Sequence, residues 1–168
     1  MKKIIIALLM FLPFTVMAQG NLKIGVFNSQ EVMAMMPETN AMMSELENIK
    51  LSLSTEIKKL EEEILKKQQE FQALPETTEA TIIQYKRTEL ARLEQSYQEF
   101  YMRANENMQK KQQELMLPII NKLQQAIKKV GDENGFTYIL DSSTNAVPYI
   151  SPSADNVTPL IKKALNIQ

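Results

Sequence analysis

The chain has 168 residues, with 19 basic and 20 acidic side chains and no His, Cys or Trp. That length holds one ordinary domain. Without His or Cys, the common zinc, copper, haem and iron–sulfur ligand sets cannot be built, nor can a Cys–His or Ser–His–Asp nucleophile system. The glycines, Gly20, Gly25, Gly131 and Gly135, fit no phosphate-cradling frame. Binding, scaffolding and carboxylate chemistry remain open.

Lys2 and Lys3 precede an apolar run from Ile4 to Leu12, interrupted by Pro13, and Val16-Met17-Ala18 places small residues where a signal peptidase reads. This pattern predicts an export signal over residues 1–18, cleaved after Ala18. The apolar stretch is shorter than the roughly 20 residues of a membrane span. Its removal leaves 150 residues with a net charge of −3. Such a mildly acidic, well-mixed surface does not suit nucleic acid. An exported chain without cysteine draws its stability from packing or association, not from disulfides.

Residues 22–28 alternate as a short strand, with Leu22, Ile24 and Val26 on one face. Asn28 followed by Glu31 makes a cap for a helix behind it. Leu46, Leu53, Leu60 and Leu74 fall at multiples of seven, interleaved with Ile57, Ile64 and Phe71. That spacing is a coiled-coil seam, broken where Lys50 and Lys67 occupy seam positions. Pro75 stops this helix, Pro75–Glu79 turns the chain, and Thr77 or Thr78 can cap the return helix. The seam resumes through Leu90, Leu93, Tyr97, Phe100, Ala104, Met108, Leu115, Ile119, Leu123, Ile127 and Val130. Gly131 and Gly135 are expected to end it.

The first arm, Thr39 to Leu74, would be about 54 Å long. A globule of 150 residues is only roughly 38 Å across, so the arm must project. Reflection of the hairpin about residue 77 pairs Leu46 with Met108 and sets Pro118 opposite Met36 and Pro37. Two prolines at one level, each removing a backbone donor, make Pro37 and Pro118 hinge candidates between arm and body. The segment from Asn105 to Glu114 has one apolar residue, Met108. Its arms should therefore be pliable, held by weak surface pairs.

Beyond Gly135, residues 136–141 read as a strand with Phe136, Tyr138 and Leu140 on one face. Ser142–Asn145 read as a turn, and residues 146–150 as a second strand limited to an edge by Pro148. Thr158-Pro159 opens a final helix with Val157, Leu160, Ile161, Ala164 and Leu165 along one stripe. Three short strands make a poor sheet with open edges, so sister copies are expected to cover them. The fold class is therefore α+β, mainly α: a long antiparallel helical hairpin on a small β body. The expected divisions are 19–38 (strand and first helix turn of the body), 39–117 (arm) and 118–168 (rest of the body). Asp141 and Asp155 are the one carboxylate pair to weigh for hydrolysis.

The strand Lys23–Asn28, the Glu/Lys/Gln-rich hairpin, Gly135–Asp141, Val147–Ile150 and Asp155–Thr158 together resemble the Skp/OmpH family of periplasmic chaperones. The resemblance spans essentially the whole chain after residue 18. It implies a homotrimer whose strands pool into a trimeric barrel and whose arms surround a cavity. It also implies a periplasmic location and ATP-independent holding of unfolded outer-membrane proteins, with no cofactor, no metal and no enzymatic activity. The well-known enterobacterial member is strongly basic, and its basic arms are linked to lipopolysaccharide and membrane binding. Here the pI is about 5.7 and the lysine pairs interleave with acids, so no lipopolysaccharide or membrane site is carried over. Met33, Met36, Met42, Met43, Tyr85 and Tyr101 are the candidates for client contact, since methionine suits adaptable surfaces. Methionine at helical spacing is more often packing, so an ordinary core at the arm–body junction is the favoured reading of these methionines. The competing reading is a coiled-coil spacer of the cell envelope without holding activity.

Overall fold

The computed structural model describes residues 22–144 and 146–167. The expected export signal and its cleavage site lie outside them. The elements run β1 (Ile24–Phe27), α1 (Ser29–Met35), α2 (Pro37–Gln72), α3 (Ala80–Asn134), β2 (Tyr138–Asp141), β3 (Asp155–Asn156) and α4 (Thr158–Ala164).

The two long helices form the expected hairpin. They have 36 and 55 residues, about 54 and 82 Å at 1.5 Å per residue. Between Met43 and Arg103 no residue is fully buried; Leu53, Ile57, Leu60, Ile64, Leu90, Leu93 and Tyr97 are half-exposed along the seam. Two helices alone cannot dry a seam on both sides, so the arm has contact without a core.

The core sits at the base. Phe27, Val32, Met36, Met42, Ile119, Leu123, Val130, Val157, Ile161 and Leu165 pack there. The lower end of α3 and the short helices α1 and α4 converge on one face of the sheet. The strand order is β2-β1-β3, and both pairings are parallel. Ile24 pairs with Tyr138 and Val26 with Leu140, so these four share a face. Gly25, Phe27 and Ile139 face the helices. Gly25 is required there, because a Cβ would lie 2.9 Å from Val157 Cγ1 and 3.1 Å from the Phe136 ring.

Local chemistry sets the ends. Asn28 caps α1 as expected, its Oδ1 accepting from Glu31 N at 3.0 Å. Pro37 occupies the first turn of α2, where its missing N–H costs nothing, directly after the break at Met36. At the tip neither threonine caps α3. The N-cap is Glu79, without a side-chain bond, and Thr78 instead donates to Pro75 O, closing the turn. Gly131 does not end α3. The helix continues to Asn134 and stops at Gly135, whose φ of 68° permits the Phe136 N to Gly131 O bond of 3.1 Å.

The expected second C-terminal strand is a further correction. Residues 146–150 are irregular, and β3 is Asp155–Asn156. Pro148 lacks the donor that a ladder position requires. Before α4 the helix-opening bond comes from Asn156, whose Oδ1 accepts from Thr158 N at 3.0 Å. The Thr158 hydroxyl turns back to accept from Asn28 N.

Candidate functional site

Cross-arm bonds fix the register of the hairpin. Glu45 meets Lys111 at 2.8 Å, Glu61 accepts from the Tyr97 hydroxyl at 2.9 Å, and Glu89 meets Lys67 at 2.8 Å. Glu38 bonds Lys122 near the body. These pairs reflect about residues 78 to 80 rather than 77, because the turn runs as far as Glu79. Pro118 therefore lies opposite about residues 40–41, roughly one helical turn from Pro37. The two prolines do not share a level. Pro37 starts a helix, and Pro118 interrupts the donor ladder inside one.

Charge satisfaction follows these contacts. The hydrogen bond from Lys67 holds the Glu89 carboxyl below its ordinary value, and the same bond raises Lys67. Lys122 lowers Glu38, Glu45 raises Lys111, and Glu61 raises the Tyr97 phenol. Lys67, placed on the seam by sequence, is thus a cross-arm cation and not a defect. Lys86 joins it, 3.4 Å from Glu89 and 3.9 Å from Glu70.

The candidate contact residues divide into two groups. Met36 is fully buried and Met42 nearly so, while Met33 packs against the same core. These three are body packing, and the buried pair has no surface to offer a client. Met43 and Tyr101 remain exposed and border one groove, opposite each other across the hairpin. That groove encloses about 610 Å³ over Leu46, Leu53, Ile57 and Met108. The expected facing of Leu46 and Met108 is realised in it. Tyr101 stacks on Tyr97 at 6.3 Å between ring centres. Tyr85 lies apart, 66% exposed beside Arg92 and Glu89 nearer the tip.

The carboxylate pair does not assemble. Asp141 is on β2 and Asp155 on β3, with β1 between them. Burial raises the Asp141 carboxyl, but hydrogen bonds from Ser29 and Ser143 outweigh it and leave the value lowered. Its Oδ1 accepts from Ser29 N at 3.1 Å and Ser143 N at 2.9 Å, which anchors the start of α1.

The second exposed feature is the far face of the sheet. Leu22, Ile24, Tyr138 and Tyr149 are 40–77% exposed there. They surround or adjoin a groove of about 640 Å³ that also reaches Val26, Leu140 and Ile150. The alternation of Leu22, Ile24 and Val26 signalled an apolar face in the sequence. The structure shows that this face points away from the chain's own core.

The family model for outer membrane protein (OmpH-like) matches residues 23–165, from the start of the sheet to the end of the last helix. The chain belongs to the OmpH-like family. Two relatives named chaperone protein Skp support the assignment. The Photorhabdus laumondii protein is 29% identical over 159 residues, covering 90% of each chain. The Yersinia enterocolitica protein is 24% identical over 141 residues, covering 84% of this chain and 85% of its own. Both are named as chaperones, not as enzymes. The crystal structure of an OmpH-like protein from Caulobacter crescentus shares the fold. Its TM-score is 0.72 at 16% identity, over 85% of this chain and 83% of that one. The hairpin on a small sheet is therefore the OmpH-like architecture.

Proposed function

We propose that this chain is an exported, ATP-independent holdase of the periplasm. It binds unfolded outer-membrane proteins in a cavity between the helical arms of three copies and so prevents their aggregation. The observation that carries this reading is the open sheet face of Leu22, Ile24, Tyr138 and Tyr149. Parallel sheets are ordinarily covered on both faces. Here the helices cover one, and sister copies are the natural cover for the other, which would set several arms around a common axis. The names of the two Skp relatives point the same way. Barrel precursors form non-local strand pairs slowly and expose sticky strands meanwhile, so enclosure alone protects them.

Arms without a dry seam suit clients of different size, and Pro118 is the place for the arm to bend. The mature protein should scatter light as a trimer. It should suppress aggregation of a urea-diluted outer-membrane barrel protein at near-equal molar ratio without nucleotide. A monomer that leaves aggregation unchanged overturns the proposal, and an oligomer that leaves it unchanged favours the envelope spacer.

A further inference from the structure

The surface of α3 just beyond the arm's base carries a feature that the seam does not use. Gln109, Gln113 and Leu117 form one row at four-residue spacing, and Gln112, Met116 and Ile120 form the next. The shallow groove between them has a volume of about 410 Å³ and no ionisable lining. Four other grooves among the described residues have charged walls: Glu47 and Lys50, Lys23 and Asp155, Glu61 and Glu94, or Glu63, Lys67, Glu89 and Arg92. Leu117 is 59% exposed and Ile120 38%, the three glutamines are exposed, and no residue of α2 lines the groove.

We propose that this uncharged stripe is where the arm grips its client, and that the occupant is an extended, uncharged stretch of unfolded polypeptide. The inference rests on the holdase reading and names the chemistry of its contact. An unfolded strand carries unpaired N–H and C=O groups, which are costly to desolvate without partners. A glutamine carboxamide offers two donors and an acceptor without a charge of its own, so it can satisfy either group. Residues four apart on a helix rise about 6 Å, close to the roughly 6.7 Å between alternate residues of a strand. The stripe, about 17 Å from Gln109 to Ile120, matches some five strand residues. Carboxamides at one end would take backbone groups, and Met116, Leu117 and Ile120 would take the alternating apolar side chains of a future barrel wall. A charged wall would leave its ions poorly solvated against such a segment, which favours this groove over the others.

The test uses the full mature protein and a urea-unfolded outer-membrane barrel protein. Gln109→Glu, Gln112→Glu and Gln113→Glu are combined in one variant; all three sites are exposed and glutamate is a comparable helix former. With circular dichroism and oligomer mass unchanged, the variant should bind the client at least tenfold more weakly than wild type. A benzophenone side chain at Gln113 should give a client adduct on illumination, and one at Lys58 should not. Client affinity within threefold of wild type, with no client adduct at position 113, overturns the proposal while leaving the holdase reading intact. So does an adduct at 113 to a second copy of the chain that forms equally without client. If wild type itself does not bind the client, the holdase reading and this inference fall together.

Discussion

The base and the arm of this molecule are built from similar residues by different rules. At the base, helices from three parts of the chain meet a sheet, and Met36, Ile119, Val32, Val157 and Ile161 lose essentially all contact with water. Along the arm, Leu, Ile and Tyr at coiled-coil spacing stay half wet, because only two helices share the seam. Periodicity therefore sets which side chains meet, and the number of elements around them sets how much stability the meeting supplies. The base has the packing to specify one structure, and the arm has far less to hold it to one.

Substitutions should separate the two regions. Ile161→Ala removes a fully buried side chain and should cost about 2–5 kcal/mol in denaturant unfolding. Gly25→Ala comes next, because its Cβ would enter the space of Val157 and Phe136; about 1–3 kcal/mol is expected. Leu60→Ala, the same kind of truncation on the half-exposed seam, should cost about 1 kcal/mol or less. A cost equal to that of Ile161→Ala would mean the arm has a core after all. Pro118→Ala restores a backbone donor within α3 and should narrow the spread of arm angles in small-angle scattering without lowering the melting temperature.

The smallest effect expected is that of acid on the cross-arm pairs. Glu38 and Glu89 are held below the ordinary glutamate value of 4.5 by bonds from Lys122 and Lys67. Groups with depressed values contribute above the unfolded value and lose that contribution as pH falls through the folded one. Lys67 and Lys111 are raised, so they contribute throughout the range below 10.5. Cross-arm distances from paired spin labels should be constant between about pH 5 and 8 and lengthen below about pH 4.5. The pairs are partly or largely exposed and lie outside the core cluster, so the base should show no matching change at the onset.

Much of this architecture was legible in the sequence. The heptads gave the hairpin, Pro75 its tip, and Asn28 with Glu31 the start of α1, because each is a local signal with a local cause. The length of the turn was not legible, which moved the register and separated Pro37 from Pro118. Nor was β3: a two-residue ladder at Asp155–Asn156 has no periodicity to detect, whereas Ala146–Ile150 has apolar residues and no partner. The methionine cluster showed the limit for sites. Met36 and Met43 look alike in sequence, and only the approach of α3 and α4 decides that one is interior and the other open to water.

Parallel pairing of the first strand with one beyond the hairpin has a consequence for assembly in time. Ser29 and Asp141, joined by a hydrogen bond, stand 112 residues apart in the chain. Closing so wide a loop from an unstructured coil carries a large entropic penalty, whereas neighbouring helices zip from a short turn one rung after another. The tip should thus organise first and deliver the two chain ends to each other. The foot would then escape the difficulty of slow, long-range strand pairing because the arms serve as its jig.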